Sequence, residues 1–396
     1  MARHEDRVVF VRHTLPGERV LAAVTARNRR YWRADAVQVL HASPDRVPSA
    51  WPAAGPGGVG GGELAHVALP AQRAWKAAVI GEQLARIARL PGAEVAVQAL
   101  PGEDERGGLG YRTRIDLVAG VDGRPGMHRH RAAEVLALDS MPLAVPQLAG
   151  LGLFERRFAP GARVRAVAPG DGPPVVLVDG VPVAADGSAA DVRLGRSRYV
   201  REVVGLPGVA EWRYRVSAEG FWQVHRGAAP VLVAAVVGAL TGLDLAGQVV
   251  VDLYSGVGLF SLPLADLVGP SGRVVSVEGD PAAVRNARRN AHDRPQVQIR
   301  AGAAEQVAAA ADCDSVAAVV LDPPRAGARA AVVAAVARLR PRRIVYVACD
   351  PAALARDVAL FGEHAYQLDR IEAFDLFPMT HHVECVAVLT KRPDPR

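Results

Sequence analysis

The sequence predicts an α/β protein with a parallel sheet in its C-terminal half, and two observations predict it. Residues 248–260, QVVVDLYSGVGLF, run from Val249, Val250 and Val251 through Asp252 into Ser255, Gly256, Val257 and Gly258. That is a buried strand, a tight turn and the start of a helix. Four further strand-like runs follow at 273–280, 316–324, 342–350 and 381–391, and Ala-, Leu- and Val-rich stretches long enough for helices separate the first four runs. Such alternation builds parallel sheets, whose ligands bind outside the C-terminal ends of the strands. Glu278, Asp322 and Cys349 close three of the runs and Glu384 stands near the start of the last. These polar ends are expected to converge on one crevice.

The 396 residues suffice for two or three domains, and with half of them apolar and 22% charged the chain belongs to the folded globular class. No uninterrupted apolar run reaches transmembrane length, and MARHEDR leads straight into VVFVRH rather than into a signal-peptide core. A cytoplasmic monomer without a membrane partner is expected. Lys76 and Lys391 are the only lysines, so arginine carries nearly all the positive charge behind the formal +6. GC-rich coding accounts for that bias; arginine also pairs with phosphate and stacks on bases, which permits a polyanionic partner. The three cysteines stand at 313, 349 and 385. Their absence from the first 312 residues excludes a disulfide scaffold or a cysteine metal site there, and points to one free thiol as a nucleophile.

Residues 1–45 read as a small β unit with a Pro-Gly turn at 16–17. Its Arg12, Arg19, Arg27, Arg29, Arg30 and Arg33 alternate with apolar and aromatic residues, which suits RNA backbone contact and equally a solvated face. Residues 46–215 read as a linker and a central domain. The stretch 41–63, with GPGGVGGGE at 55–63, lacks a following Gly-Lys-Ser/Thr and is a loop. A helix is expected over 67–95, with Val67, Leu69, Val79, Ile80, Leu84, Ile87 and Leu90 as its apolar positions and Trp75 packed inside. Strands are expected at 108–120, 163–170, 173–180 and 196–205. Arg112 and Arg114 of the first share one side, either for phosphates or as a charged edge, and Arg196, Arg198 and Arg201 of the last are offered to a substrate. Residues 216–396 form the third unit, opening with FWQVH (221–225) and a helix-like segment to 240; Gln223 is its polar exception.

Four side chains carry the chemistry. Glu278, at a strand end, suits the hydroxyls of a ribose. A dinucleotide dehydrogenase is the rival reading, but the turn at 254–258 lacks GxGxxG, which tilts it toward S-adenosylmethionine. Asp322 is followed by Pro323, Pro324 and Arg325, prolines that restrict the backbone presenting the acid and the cation. It serves a base, the cofactor pocket or a helix cap. Cys349 ends a strand, where access is better than in mid-sheet; a buried structural thiol is the alternative, and nothing adjacent lowers its pKa. Glu384 shares a side with His382, opposes Cys385, and approaches Cys349 if the last strand joins the same sheet. His381 and His382 lack a third partner, so no metal is assigned.

These motifs, in order, resemble the RNA uracil-C5 methyltransferase family. The matching stretches are YRTR (111–114), FWQVH (221–225), DLYSGVGLF (252–260), DPPRAG (322–327), YVACDPAALARD (346–357) and FPMTHHVECV (377–386). The resemblance implies a Rossmann-like class I methyltransferase domain over 216–396, a short TRAM-like β unit over 1–45 and a central mixed RNA-recognition domain over 46–215. It implies S-adenosylmethionine held by Gln223, Tyr254, Gly256, Gly258, Glu278 and Asp322. Cys349 is implied as the nucleophile that adds to C6 of uracil, and Glu384 as the base that removes the C5 proton. Asp322 is placed near the reactive base. The implied product is 5-methyluridine, with ribosomal RNA favoured over transfer RNA by the TRAM-like region. Many members hold an iron-sulfur cluster near the places of 55–63 and 140–142, but no cysteine stands there, so no cluster is expected. Asp350 and Leu259 each replace a frequent Asn. An RNA-binding protein with weak or lost catalysis is the alternative.

Overall fold

The computed structural model describes residues 1–184, 198–306 and 315–392. The first sheet contains β1 (Ala2–His4), β2 (Arg7–Arg12), β3 (Arg19–Arg27) and β4 (Tyr31–His41) in the order β1-β2-β4-β3. Three register shifts between β3 and β4 curl it. Gly17, at φ +81, makes the tight turn that leads into β3. Glu18 ties this turn to the chain beyond β4. Its carboxylate accepts from the Leu15 and Ser43 amides and from the Arg46 guanidinium, which holds its pKa down to about 2.

The helix Leu69–Arg86 ends short of the expected residue 95, before Pro91 and Gly92. Its buried face is Gln72, Lys76, Ile80 and Leu84, a strict four-residue spacing, while Trp75, expected inside, is 39% exposed. Of the expected apolar positions Ile80 and Leu84 lie on that face while Val79 and Ile87 are exposed, and Gln72 and Lys76 share the face because the loop at 375–379 beneath it presents main-chain groups and the Asp375 carboxylate, which need polar partners.

The central sheet comprises β6 (Arg114–Ala119), β7 (Pro125–His128), β8 (Val135–Ala137), β9 (Arg163–Val167), β10 (Val175–Val178) and β11 (Val181–Val183). It is antiparallel throughout, in the order β11-β10-β9-β6-β7-β8. A hairpin of β12 (Tyr199–Leu206) and β13 (Ala210–Ser217) follows. Arg114 is not offered to phosphate. It is buried, and donates to Glu202 at 2.8 Å and to the Gly220 carbonyl at 3.2 Å. Arg201 faces Asp171 at 3.1 Å, and Arg196 lies outside the described residues.

The C-terminal sheet joins β5 (Val97–Gln98), β14 (Val249–Leu253), β15 (Arg273–Glu278), β16 (Val297–Ala301), β17 (Ala318–Leu321), β18 (Arg343–Ala348), β19 (Tyr366–Phe374) and β20 (Glu384–Lys391). The order is β16-β15-β14-β17-β18-β20-β19-β5, parallel from β16 to β18, with β20 antiparallel to both of its neighbours. Alternate residues feed two cores. Val250, Val274, Val320 and Val345 pack with the helices Ala228–Leu240 and Ser261–Val268 on one face. Val251, Val275, Val319 and Ile344 pack with Arg329–Arg338 and Pro351–Glu363 on the other. Asp280 and Asp350 each cap the following helix by accepting the amide three residues on, with proline at the first helical position. No described helix is long and apolar enough to cross a membrane.

Candidate active site

The chain passes from β14 outward to β15 and β16, then crosses back to β17 on the other side of β14. The sheet therefore has its switch point between β14 and β17, where an open α/β sheet leaves a crevice. Above β14 the chain turns sharply. Tyr254, Gly256 and Gly258 have φ values of +59, +56 and +96. The Glu278 carboxylate at the tip of β15 fixes this turn, one oxygen accepting the Gly256 amide at 2.8 Å and the other the Asp280 amide at 2.6 Å.

A cleft of about 960 Å³ opens here, and Gln223, Tyr254, Gly256, Glu278, Asp322, Cys349 and Glu384 all reach it. Gly258 does not line it; its amide closes the turn on the Ser255 carbonyl at 2.8 Å. Asp322 does not cap a helix either, since the next helix begins at Arg329.

Strand register brings the thiol to the acid. Ala348, the last residue of β18, pairs with Cys385 of β20, so continuing the register by one residue sets Cys349, just past β18, opposite Glu384. The final strand thus joins the sheet, on which the approach of Glu384 to Cys349 depended. Glu384 is 4% exposed, and burial, with the charge of Asp322 added, raises its pKa well above the usual carboxylate range. Burial likewise raises Asp322 to about 7. One negative charge between these two acids is far easier to hold than two.

Burial pushes the Cys349 thiol up to about 11; Glu384 and Asp322 add to the shift and Arg325 opposes it. The free thiol is therefore protonated at neutral pH. Alkylation of Cys349 by iodoacetamide, assigned by comparison with Cys349→Ala, is expected to be slow at pH 7 and to quicken about tenfold per pH unit toward pH 11, because only the thiolate reacts. A plateau near pH 8 would contradict this environment. Cys385 is fully buried in β20 and its pKa is raised further, while Cys313 lies outside the described residues.

Several other residues reach the cleft. Arg112 comes from the stretch before β6, Gly61 from the glycine-rich loop, and Phe221, 76% exposed, from beside Gln223. Asn286 arrives from the helix Pro281–Asn290, and nothing in its sequence context marks it out. Arg325 donates to His382 at 3.2 Å, and burial lowers His382 to about 4, leaving it neutral and able to accept. Leu259 is buried and its carbonyl accepts the Tyr214 hydroxyl at 2.9 Å. Among the described residues no three His, Cys, Asp or Glu side chains gather as a metal would require.

Known proteins share both sequence and fold. The model of the tRNA (uracil-5-)-methyltransferase family matches residues 183–392. An uncharacterized RNA methyltransferase of Bifidobacterium longum is 42% identical over 99% of this chain and 93% of its own. A 23S rRNA (uracil(1939)-C(5))-methyltransferase of Shewanella amazonensis is 30% identical over 98% of this chain and 92% of its own. The crystal structure of Pyrococcus abyssi tRNA (uracil-54, C5)-methyltransferase with S-adenosyl-L-homocysteine superposes with a TM-score of 0.70 at 24% identity, covering 96% of this chain and 95% of that one, and shows the same fold. With its family model spanning more than half the chain and relatives aligned along nearly all of it, the protein belongs to the tRNA (uracil-5-)-methyltransferase family and is an S-adenosylmethionine-dependent RNA uracil-C5 methyltransferase.

Proposed function

We propose that the protein makes 5-methyluridine in transfer RNA through a transient bond between Cys349 and C6 of the target uracil. The observation that carries this reading is the meeting of Cys349, Glu384 and Asp322 in the cleft beside the Tyr254–Gly258 turn. The residues around that turn fit S-adenosylmethionine. Glu278 retains lone pairs for ribose hydroxyls after binding two amides. At Gly256 an added Cβ would meet no atom within 4 Å, so the backbone borders open space. Gln223, Tyr254 and Asp322 complete that pocket, and Gly258 shapes the turn. Bound there, S-adenosylmethionine supplies an electrophilic methyl group.

The rest falls to this chain and the uracil. The Cys349 thiolate adds to C6, and the displaced electron pair makes C5 nucleophilic. Asp322 holds the ring in place. Once C5 has taken up the methyl group, Glu384 accepts the C5 proton, the C–H electrons form the C5–C6 double bond, and the Cys349 sulfur leaves. A raised pKa makes Glu384 a strong base once ionised. A uridine in a folded RNA must swing out of its stack to enter the cleft, which leaves the arginines of the N-terminal and central sheets for the backbone.

Transfer RNA is the first substrate because the family description names it, as does the name of the Pyrococcus enzyme that shares the fold. Ribosomal RNA is the second reading, supported by the Shewanella relative. Incubation with S-adenosylmethionine and, separately, total transfer RNA and ribosomal RNA, followed by nucleoside mapping, tests both. One 5-methyluridine in transfer RNA is expected. The same nucleoside in 23S RNA alone supports the second reading, and methylation at another base atom would overturn the reaction.

A further inference from the structure

The loop that leads into Glu384 is held by residues far outside the segment matched by the family model. Residues 375–383 join β19 to β20 and supply Phe377, Thr380 and His382 to the cleft. Within this loop Met379 is buried and takes φ +67, a left-handed conformation that side-chain-bearing residues seldom adopt. Such a conformation persists only where its surroundings enforce it.

Here they do. Gln72, fully buried on the helix Leu69–Arg86, accepts the Met379 amide at 2.8 Å. Its own amide group donates to the carbonyls of Leu64 at 3.1 Å and Val67 at 2.8 Å, which locks the side chain. The Leu64 amide donates to the Met379 carbonyl at 2.8 Å, so both main-chain groups of Met379 are gripped from one side. Tyr111 donates to the Pro378 carbonyl at 3.1 Å. One turn beyond Gln72, Lys76 donates to Asp375 at 2.6 Å and to the Phe377 carbonyl at 3.1 Å. From Met379 onward there is little slack. Thr380 bonds back to the Phe377 carbonyl through its hydroxyl, the His382 amide donates to that hydroxyl, and Glu384 follows as the first residue of β20. Leu64, Gln72, Lys76 and Tyr111 all precede residue 183, where the family match begins.

We infer that Gln72 is a positioning residue for Glu384, setting the carboxylate over the substrate by holding Met379 in its left-handed conformation. This rests on the reading of Glu384 as the base. The step affected is the last one, in which the C5–H bond breaks, the proton passes to Glu384, the electron pair closes the C5–C6 double bond and the C6–S bond to Cys349 breaks. A misplaced carboxylate slows that step and leaves Cys349 addition and methyl uptake intact. The covalent enzyme–RNA species should then accumulate, which a general loss of stability does not produce.

The test compares Gln72→Met, close in size but without the polar groups, with Leu84→Ala, a destabilising change on the same buried helix face that touches none of these bonds. With an RNA bearing the mapped uridine, Gln72→Met should lower kcat about ten- to a hundredfold, hold KM for S-adenosylmethionine within about twofold and raise the fraction of denaturant-stable adduct. Leu84→Ala should leave that fraction unchanged. Gln72→Met/Met379→Gly should recover part of the loss, because glycine takes φ +67 without being held there. If Gln72→Met does not fold, Met379→Gly beside native Gln72 should keep the wild-type adduct fraction. A wild-type adduct fraction in Gln72→Met, an equal rise in Leu84→Ala, no recovery by the glycine or a raised fraction in Met379→Gly alone would each overturn the inference. An adduct that forms without Cys349, or forms in no variant, instead overturns the assignment of Cys349 and Glu384 and takes the inference with it.

Discussion

Cys349→Ala is expected to reduce methyl transfer to the uncatalysed background and to leave no covalent RNA–protein species, whereas Glu384→Gln is expected to form that species and stall on it. The two residues meet in one cleft, at the end of β18 and the start of β20, yet act on opposite sides of methyl transfer. Without the thiolate, C5 of uracil is a poor nucleophile and nothing proceeds. Without the carboxylate, addition and methyl uptake proceed but the C5 proton has no acceptor, and turnover should fall by about 10²–10⁴-fold. Glutamine preserves the size of the side chain in this buried position and removes only its basicity. Denaturing gels of labelled RNA with each variant read the outcome directly. Turnover by Cys349→Ala at the wild-type rate, or a Glu384→Gln enzyme that releases product normally, would sink the division of labour.

pH enters both results. Burial raises the thiol and both carboxyl groups, and the charge of Asp322 adds to the shift of Glu384. As pH rises, Glu384 becomes able to accept a proton and the thiolate fraction grows, so single-turnover rates of the wild-type protein should climb from neutral into alkaline pH. In Glu384→Gln the adduct-forming rate should keep the thiol limb, since Arg325 remains beside Cys349 and only a negative neighbour has been lost.

The parts of this site legible in the sequence were those written in strand ends. A run such as VVVDL announces its own strand, and the residue that ends it faces the crevice whatever lies elsewhere, so Glu278, Asp322 and Cys349 could be brought together from local pattern. Placing Glu384 required β20 to be antiparallel between β18 and β19, a long-range fact with no local signature. The strands β16 and β19 carry a weaker signal: VQIRA is short with no buried residue, and the alternation of YQLDRIEAF breaks at Asp369 and Arg370, where its register with β20 shifts. The hardest case was the helix Leu69–Arg86. Ile80 and Leu84 mark its buried face, but Gln72 and Lys76 share it, and their loop partners Met379 and Asp375 lie some three hundred residues away. Buried polar side chains follow their partners rather than a hydropathy period.

Lys76→Met is expected to destabilise the fold by about 3–5 kcal/mol, the range for removing one member of a buried ion pair. Lys76 and Asp375 are both almost wholly buried, at 3% and 1% exposure, with the ammonium 2.6 Å from the carboxylate. In a chain whose positive charge is nearly all arginine, a lysine here has a physical reason. The compact ammonium directs its protons at Asp375 and the Phe377 carbonyl, whereas a planar guanidinium would bring five N–H groups into a space with few acceptors. Lys76→Arg should therefore also destabilise, despite keeping the charge. Lys76→Met/Asp375→Leu removes both charges and should regain most of the stability lost in Lys76→Met, since the unpaired buried carboxylate is the costly element. It should not regain turnover, because the Phe377 carbonyl keeps only Thr380 as donor once the Lys76 ammonium is gone, and the loop before Glu384 is less firmly held. Denaturant unfolding and turnover measured on the same three variants separate the two effects. Full activity in the double variant would show that the ion pair serves stability alone.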